Sequence, residues 1–157
     1  MNDIVPNRKE YDPRMHSAEH ILNQTMVRMF NCGRAFSAHI EKKKSKCDYH
    51  FERNLTNEEI VRIENKVNEV IMANLPIQER ILSREEAGQI VSLTRLPEDA
   101  GDKVRIIAIG YYDLCPCSGV HAQTTSEIGG FKIISTDCAN AVLRIRFKIN
   151  ELIEKQY

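Results

Sequence analysis

The period at which apolar residues recur along this chain changes from helical to alternating and back, in an order that excludes a regular β-α-β repeat. Asp12 and Pro13 stand as an N-cap with proline at the first helical position, and Met15, Ala18, Leu22, Met26 and Met29 follow at helical spacing as far as Asn31 and Gly33. The stretch "AFSAHIEKKKSKCDYHFER" then alternates, with Cys47, Tyr49 and Phe51 set against Lys46, Asp48, His50 and Glu52, the pattern of a hairpin. Thr56 and Glu59 spell a capping box ahead of Ile60, Ile63, Val67, Val70 and Ile71 on one face of a second helix. "LPIQERIL" predicts a short strand with its proline at the edge, and Ser83 with Glu86 repeats the capping box for a shorter helix. "KVRIIAIG", apolar nearly throughout, predicts a buried strand, and "FKIISTD" and "AVLRIRFKI" predict two more. The expected fold class is α+β, an antiparallel or mixed sheet packed with helices.

Nothing in the sequence divides the chain, so residues 1–157 are expected to form a single domain, long enough to bury about 68–70% of its unfolded surface. No apolar run approaches the roughly 20 residues that would span a bilayer. The N-terminus, "MNDIVPNRKEYDP", lacks the apolar core of a secretory signal, and a cytoplasmic chain is expected. The five cysteines, at positions 32, 47, 115, 117 and 138, are an odd number that closes no disulfide framework, which leaves them as free thiols or metal ligands. The 22 basic and 22 acidic residues cancel, so any attraction to nucleic acid must come from local patches. "EKKKSK", Glu41 to Lys46, is the only dense one and is expected at a solvated hairpin tip.

Two pairs of residues carry metal chemistry. His16 and His20, at i and i+4, stack on one helical face where two imidazole nitrogens can reach one ion. In "CPCSGVH", Cys117 and His121 are again four apart, a thiolate and an imidazole that suit zinc better than calcium or magnesium. Brought together by the fold, the pairs would complete a tetrahedral set of three histidines and a cysteine. A closed shell of four is the mark of a structural zinc, whereas a catalytic zinc usually keeps one position for water or substrate, and the sequence does not choose between them. The string H-x-x-E-H is also the inverzincin signature, in which the glutamate is the base of peptide hydrolysis, and S-ribosylhomocysteine lyases use a helix of this spelling.

With "MHSAEHIL" and "CSGVH" together, the chain resembles the editing domain shared by alanyl-tRNA synthetase and the free-standing AlaX proteins, with that of threonyl-tRNA synthetase more distant. "LTNEEIVRIENKVNEVIMANLPI" is similar to the family's long helix and the strand entry after it, "AGDKVRIIAIG" to the strand before the second metal motif, and "SEIGGFKIIS" to the segment after that motif. The resemblance runs from about Pro13 to Phe147. It implies that His16, His20, Cys117 and His121 hold zinc, and that the substrate is a mischarged tRNA, most simply serine or glycine esterified to alanine tRNA. Serine on threonine tRNA, or a zinc-stabilised module that binds tRNA or protein without catalysis, are the alternatives within the resemblance. At this length no synthetase catalytic domain is expected beside the site, which would imply action in trans. The chain departs from the family at three places. The loop is Cys117-Ser118-Gly119-Val120-His121 where the synthetase commonly has C-G-G-T-H; "GRAFSAHI" offers Ser37 as the one evident hydroxyl for substrate; and Glu19 is not the usual residue at its position. Glu19 is expected as a solvated helix carboxylate, its alternative being a general base or a partner beside the metal. Arg144, in "VLRIRF", is a candidate for a tRNA phosphate.

Overall fold

The computed structural model describes residues 12–93 and 101–150; the polar N-terminal stretch, expected to carry no secretory signal, lies almost wholly outside them. The first helix, α1, spans Pro13–Phe30, with the Asp12 carboxylate accepting from the amides of Arg14 and Met15 and Asn31 ending it in the left-handed region at φ 52. Strands β1 (Ser37–His39) and β2 (Ser45–His50) form the hairpin, and α2 (Asn57–Met72) opens on the Thr56–Glu59 capping box. Strand β3 (Ile77–Ser83) follows, then α3 (Arg84–Ile90) on the second capping box, β4 (Lys103–Ile109), β5 (Asp113–Pro116), one turn of 3-10 helix (Thr125–Glu127), β6 (Phe131–Ala139) and β7 (Val142–Ile149).

Two antiparallel sheets result, one in the order β1-β2-β7-β6 and one in the order β3-β4-β5, so the class is α+β as expected and, among the described residues, no strand pair is parallel. The one strand that sequence patterning missed is β5. Its four residues, "DLCP", are too few to show an alternation, and they end in a proline, which is tolerated because β5 lies at the edge of its sheet. The turn that brings β5 back onto β4 needs Gly110, which sits at φ 47 with Leu75 packed where a Cβ would stand.

A shared core joins the sheets. Ile21, Leu22 and Met26 of α1 and Ile63 and Val67 of α2 pack with Tyr49, Ile109, Leu143, Ile145 and Phe147. Helix α1 is buried on more than its apolar stripe: His16, Ser17, His20, Asn23 and Thr25 are also within it, so one side of the helix meets the core and another meets a polar site. Among the described residues, no helix is long and apolar enough to cross a membrane.

One hydroxyl ties the end of α2 to the segment after His121. The fully buried Thr125 side chain accepts from the amide of Leu75 at 2.9 Å and donates to the carbonyls of Val70 and Ile71 in the last turn of α2, which also accept from the amides of Ala73 and Asn74. Thr125→Val keeps the shape and removes these bonds, leaving a buried amide without a partner, so it is expected to lower unfolding free energy by about 1–3 kcal/mol in urea titration with an unchanged m-value.

Candidate metal centre

Helix α1 presents His16 and His20 one turn apart, 4% and 3% exposed, against the segment that leaves β5. That segment is held by β4. The Cys117 amide donates to the Arg105 carbonyl at 3.2 Å, and the Arg105 guanidinium donates to the carbonyls of Cys117 and Gly119 at 2.7 and 2.8 Å, its Nε meeting Glu79. Both ends of the turn that carries Cys117 are thereby pinned to one strand.

The fold brings the two pairs together. One donor atom from each of His16, His20, Cys117 and His121 lies within 4.8 Å of every other, a group that could hold a metal ion. The imidazole of His16 stacks on that of His121 at 4.1 Å between centroids, and His20 stands edge-on to both. Donors around one tetrahedral ion with bonds of about 2.0–2.3 Å would be roughly 3.3–3.8 Å apart. The 3.4 Å from His16 Nε2 to Cys117 Sγ already meets that spacing.

The outer nitrogens of His16 and His121 are hydrogen-bonded. His16 Nδ1 hydrogen-bonds to the Val120 carbonyl at 2.9 Å, and His121 Nδ1 to the Ser17 hydroxyl at 3.0 Å, which also accepts from the Ala122 amide. His20 Nδ1 faces the Asp113 carboxylate at 3.7 Å, too far for a hydrogen bond but close enough for an ion pair. His121 Nε2 is buried with no hydrogen-bond partner, as a nitrogen meant for a metal should be. The donor set, three imidazoles and a thiol with oriented outer nitrogens, fits a transition metal of the zinc type.

Electrostatics point the same way. Burial pushes the Cys117 thiol up, but the neighbouring imidazoles of His121, His16 and His20 outweigh it and bring it down to about 3, so sulfur carries the charge a metal requires. Burial pushes His20 down, and Asp113 and Cys117 more than reverse this, raising it to about 10, a more basic imidazole whose proton a metal would displace. His121 is lowered to about 4, by burial first and by the neighbouring imidazoles, against the pull of Cys117.

A cavity of about 570 Å³ opens beside the group, and of the four candidate ligands only His20 lines it. Its polar wall is Glu19, Asn23 and Arg34; Ile90, Val91, Leu114, Cys115 and Pro116 make the apolar one. Glu19 is not the solvated carboxylate expected of it. Its side chain is 12% exposed, it accepts from the Asn23 amide, and its Oε1 is 3.8 Å from His16 Nε2. The roughly 100° that separates it from His20 around the helix turns it along the cavity wall instead of into water. Arg34 grips Asp113 through two bonds of 2.8 and 3.2 Å.

Ser37 and Arg144 stand outside this cavity. Ser37 begins the exposed edge strand β1, two residues beyond the wall at Ala35, and Arg144 is bound to Asp48 through Nε and a second nitrogen at 2.8 and 2.9 Å. Cys115 lines the cavity without joining the four-residue group. Asn23, Arg34, Arg105 and Asp113 were not singled out from sequence. Asn23 could have been, since it follows His16 and His20 by seven and three residues on one helical face. Nothing local marks the other three, which act through partners more than 70 residues away or on another strand.

Since Asp113 orients His20, Asp113→Asn is expected to weaken binding of a divalent transition metal by roughly 10–100-fold in chelator competition, with the full chain still folded by circular dichroism. An unchanged affinity would show that the 3.7 Å pair does not act on the ligand.

Residues 104–145 match the family of the Threonyl and Alanyl tRNA synthetase second additional domain. The chain is similar to the alanine–tRNA ligase of Fervidobacterium nodosum, 33% identical over 132 residues that cover 83% of this chain and 15% of that protein. That of Haemophilus influenzae is 30% identical over 146 residues, 92% of this chain and 17% of the ligase, and that of Coxiella burnetii 34% identical over 135 residues, 84% and 16%. The chain thus matches about one sixth of the length of these curated relatives.

Proposed function

Because the chain is an alanyl-tRNA synthetase editing-domain-like protein, we propose that it is a zinc-dependent hydrolase of mischarged tRNA, cleaving the ester that joins serine or glycine to the 3′-terminal ribose of alanine tRNA. The observation that carries this reading is the convergence of His16, His20, Cys117 and His121 next to a cavity that His20 shares with Glu19. The chemical need is general. A pocket for a small amino acid gains only about 1–3 kcal/mol of discrimination per methylene, so a second site must remove the misfits. The cytoplasm, where charged tRNA is used, is the location this reading implies.

Zinc held by the four ligands would polarise the ester carbonyl or hold the substrate amine. The remaining work falls to side chains of this chain. Glu19 receives the proton of the attacking water, its carboxylate facing the cavity beside His16. Asn23 keeps it there: its amide nitrogen donates to Glu19 while its oxygen accepts from the Ala35 amide at 3.0 Å and the Tyr49 hydroxyl at 2.8 Å, so the amide cannot flip without losing both. The same carboxylate and amide offer acceptors and donors to a serine hydroxyl, and a site built around such bonds rejects the analogue that lacks them. Arg34, already bound to Asp113, supplies a wall and not a free cation.

Full-length protein incubated with Ser-, Gly- and Ala-charged alanine tRNA is expected to release serine and glycine faster than alanine. Cys117→Ala should lose both bound metal and hydrolysis, whereas Glu19→Gln should keep its metal and lower kcat by about 10²–10⁴. If no mischarged tRNA, including Ser-charged threonine tRNA, loses its amino acid faster than in buffer, the proposal is wrong.

A further inference from the structure

The four-stranded sheet has a solvent face whose charge the chain's neutral total conceals. Alternate residues of β7 point inward as Leu143, Ile145, Phe147 and Ile149, which turns Arg144, Arg146 and Lys148 outward. Register then sets Lys46 of β2 directly opposite Arg146, and Lys132 of β6 directly opposite Lys148. Like charges in such positions destabilise a sheet, so the pairs oppose the fold unless an anion covers them. Asp48 and Asp137 offset part of the charge, the first bound to Arg144 and the second to Arg146. Lys42, Lys43 and Lys44 at the exposed hairpin tip add to it. At the tip end of this face a cleft of about 350 Å³ is lined by His39, Lys44, Ser45, Lys46 and Arg146, with Glu41 at its side.

At the opposite end of β1 is an aromatic surface. Phe36, 41% exposed, stacks on the exposed His50 with centroids 4.1 Å apart and planes 15° from parallel. Phe36 directly follows Ala35, a wall residue of the cavity beside Glu19 and His20. From Phe36 to His39 is three residues of nearly extended chain, about 10 Å. The cavity, the flat ring and the basic cleft therefore follow one another along residues 35–39.

We propose that this face binds the single-stranded 3′ end of an RNA, with a base stacked on the Phe36 ring and a backbone phosphate in the cleft between Lys46 and Arg146. This deepens the reading of the adjacent cavity as a site for an RNA-linked ester and rests on it. The chemistry is that of single-strand recognition generally: a ring takes the π-face of any base, and cations follow the backbone. An acidic peptide would use the cations and leave the exposed part of the ring uncovered.

Fluorescence anisotropy of the full-length protein with a short 5′-labelled single-stranded RNA tests this surface directly, because uncharged RNA suffices. Phe36→Ala is expected to weaken binding about tenfold and Phe36→Tyr to restore it, with bound metal and circular dichroism unchanged. Lys46→Glu combined with Lys132→Glu should weaken binding and flatten its dependence on salt. RNA bound no less tightly by either variant than by the wild type, or no more tightly than polyglutamate of equal charge, would overturn the proposal. The two readings fail separately. Loss of binding in these variants without any tRNA hydrolysis by the wild type sinks the hydrolase and keeps the surface; hydrolysis of charged tRNA with an unaltered KM in both variants sinks the surface and keeps the hydrolase.

Discussion

The amide of Asn23, 3% exposed, is the point at which the helix, the hairpin and the site are joined. A buried amide is costly unless its donors and acceptors are met, and here they are met by three different parts of the chain: the Ala35 amide, the Tyr49 hydroxyl on β2 and the Glu19 carboxylate one helical turn earlier. Satisfying them fixes the rotation of α1 about its own axis. His16 and His20 lie on the same side of that helix, so the rotation that suits Asn23 also aims both imidazoles at Cys117 and His121. Tyr49, whose burial pushes its hydroxyl well above its ordinary range, can only be a neutral donor there.

Around this joint the charges are arranged in layers. The imidazoles draw the Cys117 thiol down; that sulfur and Asp113 draw His20 up, making it a more basic imidazole for a proton or a metal; and Asp113, drawn down by His20 and Arg34 against its own burial, is fixed in turn by a guanidinium at the cavity wall. Each buried charge has a neighbour of opposite sign, the condition under which such groups can be kept from water. The arrangement also ties the metal group to the cavity, since Arg34 belongs to the wall and Asp113 to the strand beside Cys117. Displacing the wall moves a carboxylate that faces a candidate ligand.

Much of this was legible in one dimension. The helices were, because the period of Met15 to Met29 and of Ile60 to Ile71 and the caps at Asp12, Thr56 and Ser83 are local properties, and the structure keeps all three caps. The pair of His16 and His20 was legible too, because i and i+4 place two donors together on a helix, whereas Cys117 and His121 lie on a loop that the fold has to bring to them. Strand β5 was not, being shorter than the window in which an alternation can be seen. The orientation of Glu19 was not either: its position around the helix was known, but which direction held water and which held a wall depends on the residues 33–35 and 114–116 that close over it.

The sequence by itself determined the element types, the α+β class and the chemistry of the donors, since propensity, periodicity and ligand softness act over a few residues. Tertiary structure alone decided that Asp113 would face His20, that Arg105 would clamp the loop of Cys117, and that Lys46 would lie opposite Arg146. Those pairings join residues 12 to 100 positions apart, and only the packing of α1 against β5 and the register of the two sheets bring them within reach of one another.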